Sequence, residues 1–154
     1  MHERPDVSTL QPATQSKPFR ALMRFYEAER RYSATGSAAD RNALLATLHP
    51  DIVLYQPESL PYGGEWRGRE AFGNWLDAFV QAWTGVTPTD PAFHTCGTDT
   101  IISTVTMRAT ARSTGTEIIM PMCQVIRFTD ELPIEWRNFA WDTAKMLDAL
   151  GLSG

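Results

Sequence analysis

The chain has little of what a metal, disulfide or nucleic-acid protein needs. It holds two cysteines, Cys96 and Cys123, and three scattered histidines, with no CxxC or HxH spacing for a metal. The formal net charge of -4 argues against nucleic acid or an anionic membrane as a partner, because both favour a basic face. We therefore expect two buried, unpaired thiols and no cofactor.

Long apolar runs and phosphate-binding motifs are also missing. No apolar run is long enough to span a bilayer, and residues 1–6 lack the apolar centre of a secretory signal, which predicts a cytoplasmic protein. Gly63-Gly64 lacks the third glycine and the lysine that a phosphate loop requires. No G-x-S-x-G nucleophile turn occurs either.

What the chain does have is the composition of one globular domain. It has 154 residues, of which 43% are hydrophobic and 21% charged. Residues 1–17 show little apolar periodicity and are expected to be a flexible arm, so that a single domain covers 18–154.

Helical periodicity dominates the first half of that domain. A helix is predicted from Phe19 to a terminal Gly36, and a second, short helix follows a capping box that begins at Ser37. A third is predicted over 69–83, where large apolar residues recur every three or four positions: Phe72, Trp75, Leu76, Phe79, Val80 and Trp83.

Strand patterns dominate the second half. Strands are predicted at 52–55, 101–112, 117–128 and 134–141, with a loop at 84–91 and a closing helix at 143–150. Helices followed by antiparallel strands predict an α+β fold in which the helices pack on one face of a curved sheet. Such a sheet leaves a concave cavity wherever its helical cover is incomplete.

Candidate wall residues for that cavity are large apolar or polar side chains on inner faces and in turns. For any one of them, simple core packing is the alternative, except that Trp66, in a glycine-bounded turn, is the kind of loop aromatic that contacts ligands. The candidates are Tyr55, Tyr62, Trp66, Trp75, Phe79, His94, Met107, Met120, Met122, Asn138, Phe139 and Trp141.

Gln124 interrupts an apolar strand face. By strict alternation it shares that face with Met120, Met122, Ile126 and Phe128. A buried amide without a partner costs about 1–3 kcal/mol, so Gln124 either has a structural partner or lines a cavity.

Asp142 is the carboxylate that the order of elements favours for acid–base chemistry. It ends the aromatic run 136–141 at a strand-to-helix junction. Aromatic walls raise the proton affinity of a carboxylate by desolvation, and such a group can act as a general base. The alternative is an N-cap for the following helix, and both roles are compatible.

The order strand, glycine-rich turn, W-R-G-R-E (residues 66–70) and amphipathic helix resembles the nuclear transport factor two-like superfamily. Within it, the chain is most similar to SnoaL-like polyketide cyclases and ketosteroid isomerases, over about 19–151. The resemblance implies a cone-shaped domain with three helices over the concave face, and a homodimer through the convex face with Arg108, Thr110, Val125 and Arg127 near the interface.

The resemblance also implies roles for particular residues. Gln56, before Pro57, stands where ketosteroid isomerase has its base, and an amide cannot serve as one; ketosteroid isomerase activity is therefore not expected, and Gln56 becomes a ligand contact. Gln124 stands where that family has an oxyanion donor, a carboxylic acid that its surroundings keep neutral. Asp142 matches the acid/base aspartate of SnoaL-like cyclases. The expected function is binding of, or cofactor-free proton transfer on, a hydrophobic carbonyl compound; a non-catalytic ligand-binding or dimeric interaction domain is the alternative.

Overall fold

The first two helices begin at serine caps that the sequence provides. In the computed structural model, which describes residues 11–12 and 16–152, Ser16 caps the first helix and Gly36, at φ 61°, closes it. Ser37 accepts from the Asp40 amide at the start of the second. The helices are α1 (Lys17–Thr35), α2 (Ala38–Ala46), α3 (Arg69–Ala82) and α4 (Thr143–Ala149).

These helices pack on one curved sheet. Its strands are β1 (Gln11–Pro12), β2 (Val53–Gln56), β3 (Gly64–Arg67), β4 (Trp83–Cys96), β5 (Thr100–Ala111), β6 (Glu117–Thr129) and β7 (Leu132–Ala140). They lie in the order β1-β4-β5-β6-β7-β2-β3, and every neighbouring pair is antiparallel except β2 with β7. The predicted α+β class is confirmed.

The core lies between the helices and one face of the sheet, here called the inner face. Alternation on β5 and β6 follows the prediction: Ile101, Ser103 and Met107 are buried, and so are Met120 and Ile126. The Phe25 ring of α1 packs against the rings of Phe72 and Trp136, which joins two helices to β7.

The prediction of a loop at 84–91 is wrong. These residues belong to β4, which pairs with β5 along its length. Among the described residues, the other side of β4 is paired only at His94 and Thr95, where the short strand β1 lies. An edge strand tolerates Pro88, since the missing amide faces solvent rather than a ladder. Irregular register at Thr84/Thr87 and Thr89/Ala92 absorbs the remaining turn-forming residues.

The turn predicted around Trp66 is also corrected. Trp66 lies in β3, directly opposite Leu54, and its indole nitrogen donates to the Tyr62 carbonyl at 3.0 Å. The turn itself comes earlier, at Gly63, where a Cβ would lie 2.2 Å from the Pro57 carbonyl oxygen. Only glycine allows this close approach, which brings Tyr62 into the core.

Three further expectations concern the thiols, the N-terminal arm and membrane spans. Both cysteines are unpaired, but Cys96 is exposed rather than buried, because it ends an edge strand. Most of the expected arm lies outside the described residues, although Gln11–Pro12 pairs with β4 and Lys17 begins α1. Within residues 16–152, none of the helices has the length and apolarity needed to cross a bilayer.

Candidate functional site

A row of polar side chains crosses the inner face of the sheet. Ser103, Gln124 and Asn138 lie directly opposite one another on β5, β6 and β7. Gln56 and Asn138 each follow the last paired position of β2 and β7, Tyr55 opposite Arg137, so alternation brings Gln56 to the same face. We call these four residues the inner polar row.

Tyr26 of α1 covers the centre of this row. Its hydroxyl donates to Oε1 of Gln124 at 3.4 Å and is also hydrogen-bonded to Ser103. Burial, and secondarily the charge of Glu29, raises the pKa of Tyr26 well above its ordinary value. Tyr26 therefore stays a neutral donor and fixes the Gln124 amide with its oxygen turned toward α1.

This arrangement leaves the Gln124 nitrogen without a partner. Nε2 of Gln124 makes no hydrogen bond to any described residue, while its oxygen is occupied by Tyr26. Asn138 repeats the pattern: its Oδ1 accepts from the Trp136 indole at 3.1 Å, and its Nδ2 has no partner within the described part of the chain.

Two more donors on this side are buried and unpaired. Nε2 of Gln56 and Nε1 of Trp75 have no hydrogen-bond partner among the described residues, and the two residues are 7% and 9% exposed. A buried donor without a partner costs about 1–3 kcal/mol, so such groups call for a water or a ligand. Gln56 and Trp75 thus supply the buried unpaired groups on the described inner side, and both groups are N–H donors.

Aromatic rings form the apolar wall beside these donors. On α3, Trp75 stacks between Phe72 and Phe79, with ring centroids 5.4 and 5.6 Å apart. Phe79 in turn contacts Tyr62, whose hydroxyl accepts from the Trp83 indole at 2.9 Å. Burial raises the pKa of Tyr62 to about 12. Of the predicted wall residues, Met107 and Met122 also face inward, opposite Met120 and Val105.

Sequence reasoning missed Glu29. It lies three residues after Tyr26 and four after Phe25, so it shares the sheet-facing side of α1. Burial, partly offset by Arg30, raises the pKa of Glu29 to about 7. An acidic residue at helical spacing from buried aromatics was the available signal.

Asp142 lies elsewhere. Its side chain is exposed and accepts from the Lys145 amide at 3.1 Å, as the N-cap of α4. It follows Asn138 by four residues, which places its backbone about 13 Å along the strand from the inner polar row. The structure therefore does not bring Asp142 and Gln124 together, and a catalytic role for either stays a prediction.

Tyr55 and His94 lie on the outer face. Tyr55 alternates with buried Leu54 and Gln56, and its ring carries the Arg137 guanidinium 3.9 Å from the centroid. His94 lies opposite Ile102, one position away from inward-facing Ser103. The sequence could not separate these faces, because the register of β4 and β2 depends on their partners.

The outer face also carries an apolar groove of about 390 Å³. Trp141 is 84% exposed there, and Phe139 and Ile119 are exposed nearby. The groove is lined mainly by Thr104, Thr106, Pro121, Cys123, Phe139 and Trp141.

Within the described residues, no group of three His, Cys, Asp or Glu side chains has the arrangement to hold a metal.

Comparisons with known proteins identify a related domain family and related folds. Residues 24–136 match the family model described as a SnoaL-like domain. No functionally curated protein matches the chain.

Solved structures with the same fold share little sequence with it. An NTF2-like protein from Burkholderia xenovorans LB400 is 18% identical, with a TM-score of 0.75 over 87% of this chain and 95% of that one. A proposed polyketide cyclase from Xanthomonas campestris pv. campestris is 16% identical, with a TM-score of 0.68 over 87% and 96%. A protein of ketosteroid isomerase-like fold from Catenulispora acidiphila DSM 44928, in complex with trimethylamine, is 19% identical, with a TM-score of 0.60 over 82% and 93%.

Proposed function

Because the chain belongs to the SnoaL-like domain family, we propose that its inner face binds a hydrophobic carbonyl compound and transfers a proton on it. In this proposal the protein is a cofactor-independent cyclase or isomerase. The chain belongs to the family by its sequence. Its structural likeness to a proposed polyketide cyclase supports a carbonyl-bearing substrate. Ketosteroid isomerase activity itself is not proposed, because Gln56 cannot replace a carboxylate base.

One observation carries the proposal: the polar side chains of the described inner face offer N–H donors, two of them buried and unpaired. Tyr26 holds the oxygen of Gln124, and Trp136 holds the oxygen of Asn138, so both amides offer their nitrogens. A ligand that satisfies them must contribute acceptor oxygens, as a carbonyl does. The rings of Trp75 and Phe79 then enclose its apolar body.

Gln124 is the donor we propose for the carbonyl oxygen during reaction. Proton removal beside a carbonyl develops negative charge on that oxygen, and a donor already held in place stabilises this charge without reorganising. Tyr26 supplies that hold and stays protonated because its pKa is raised by burial. Two carboxylates compete for the role of base: Asp142 at the end of the sheet and Glu29 on α1.

A pair of matched probes tests the binding proposal. 2-Tetralone and tetralin have the same ring system, but only the former has a carbonyl oxygen. We expect the protein to bind 2-tetralone about three- to tenfold more tightly in calorimetry, the worth of one net hydrogen bond. Gln124→Leu should remove this preference while tetralin still binds. Equal affinities for both probes in the unmodified protein would contradict donor recognition.

The outer face supports a second proposal, a homodimer. Trp141, Phe139 and Ile119 expose apolar surface beside the groove, and a sheet face of this kind is suited to a second copy. The residues expected near the interface lie on β5 and β6, two strands that also line the groove: Arg108, Thr110, Val125 and Arg127. If ligand binds without turnover, the protein is the non-catalytic, dimeric binding domain instead.

A further inference from the structure

We propose that Glu29, rather than Asp142, is the group that accepts and returns the proton in the inner-face site. This inference rests on the proposed function, and it assigns that function's base. Few carboxylates are shielded from solvent. Within residues 16–152, four are half-buried rather than exposed: Glu29, Asp40, Asp77 and Glu135.

Three of these four already have partners. Asp40 accepts from Ser37 and Thr35 at the start of α2. Asp77 is paired with Arg41, and Glu135 with Arg127 and Arg137 on the outer face. Glu29 makes no hydrogen bond or ion pair with any residue that the structure describes. A partly buried, unpaired carboxylate is unfavourable for folding, and such groups cluster at functional sites.

Glu29 is also close to the inner polar row. Glu29 lies one helical turn beyond Tyr26, so the two side chains are neighbours on one face of α1. The Tyr26 hydroxyl touches Gln124, and the charge of Glu29 acts on Tyr26. A ligand whose oxygen meets Nε2 of Gln124 would therefore lie beside Glu29. Asp142, by contrast, is an exposed helix cap about 13 Å along the strand from that row.

The charges around Glu29 leave it able to titrate near neutral pH. On α1, Tyr26 and Arg30 interact with it. Arg41 of α2 is already engaged by Asp77 of α3. The strands that α1 packs against present groups that do not titrate on this face: Ile101, Ser103, Trp136 and Asn138.

The step balances without a co-reactant. The Glu29 carboxylate takes a proton from the carbon next to the carbonyl. The C–H electron pair becomes the carbon–carbon double bond of an enolate, and the carbonyl π pair moves to the oxygen, which accepts from Gln124. Return of the proton from Glu29 to a ligand carbon restores both the carbonyl and the carboxylate, as an isomerase requires.

Deuterium uptake by 2-tetralone in D₂O tests this assignment. We expect the protein to speed exchange of the protons beside the carbonyl, with a rate that rises with pH and levels above pH about 7. Glu29→Gln should lower the catalysed rate by roughly 10²–10⁴-fold. Glu27→Gln is the matched control on the same helix, because Glu27 is exposed and paired with Arg31. It should keep both the rate and the pH profile.

Other outcomes overturn the proposal in distinguishable ways. A loss of exchange in Asp142→Asn with full exchange in Glu29→Gln would assign the base to Asp142. Binding of 2-tetralone without any exchange would overturn Glu29 and leave the binding function standing. If 2-tetralone fails to bind, the proposed function fails. Glu29 is then decided by ¹³C NMR of labelled glutamate carboxyls, where titration like that of exposed glutamates would overturn the assignment.

Discussion

At the scale of single residues, Glu29 makes a stability prediction that needs no substrate. Its pKa is about 7 in the folded chain and near the ordinary 4.5 when unfolded, so the folded state binds more protons between those values. Stability contributed by this group is therefore present at acid pH and is lost as pH rises from about 4.5 to 7. Above pH 7 the ionised Glu29 lowers the free energy of unfolding by an amount that no longer changes with pH.

Glu29→Gln should remove that pH dependence. We expect the variant to be more stable than the unmodified protein at pH 8, by roughly 1–3 kcal/mol, and similar to it at pH 4. Urea unfolding at both pH values measures this difference. Glu27→Gln should show no such gain, and an equal effect of Glu29→Gln at both pH values would show that burial does not raise the pKa of Glu29.

At the scale of elements, α3 has one face that packs in the core and another that is exposed to solvent. Phe72 and Trp75 are buried and their rings are in contact, whereas Val80 on the same helix is exposed. α4 is fixed differently: Asp142 caps its start, and its last carbonyls accept from Ser113 and Thr114 of the β5–β6 turn. Packing contributes to both helices, since α4 buries Met146 and Ala149 in the core, and polar contacts also fix the two ends of α4.

Truncating Trp75 tests the placement of α3. Trp75→Ala should leave a cavity beside Phe72 and Phe79 and destabilise the fold by roughly 3–5 kcal/mol. Val80→Ala is the control and should change stability by less than about 0.5 kcal/mol, because that side chain is already in solvent. Thermal and urea unfolding measure both variants. A near-neutral Trp75→Ala would mean that the ring does not anchor α3.

At the scale of the whole molecule, the two faces of the sheet differ in their cover and in the side chains they carry. The inner face is covered by helices and retains unsatisfied donors, whereas the outer face carries ion pairs such as Arg127 with Glu135 beside exposed rings. We propose a ligand for the first surface and a second copy of the chain for the other.

Sedimentation equilibrium tests the dimer. At micromolar concentration we expect twice the monomer mass, because burial of Trp141 and Phe139 would offset the cost of association. Phe139→Lys should shift the equilibrium to monomer, since a charge would be buried at the interface. Glu131→Lys, in the β6–β7 turn, changes charge away from that face and should leave the dimer intact. A monomer at all concentrations would refute the dimer and leave the fold unaffected.

Periodicity made most of the fold predictable. The stripe of α3 and the alternation of β5 and β6 reflect local geometry, so they are readable without knowing any partner. The predictions failed where pairing with another strand determines the local structure. The β4 segment has turn-forming residues and becomes a strand only because β5 is there to pair with it. Trp66 similarly needs β2, since four residues cannot form a stable strand alone.

The candidate site divides in the same way. The amino-acid sequence by itself determined that Gln124 interrupts an apolar face and that Asp142 precedes a helix, because both follow from spacing along one element. Only the tertiary structure decided that Tyr26 holds the Gln124 oxygen, that Tyr55 and His94 face outward, and that Glu29 is left unpaired beside the site. Hydrogen bonding and desolvation are properties of neighbours in space, and neighbours 98 residues apart, as Tyr26 and Gln124 are, come together only when the sheet curves under α1.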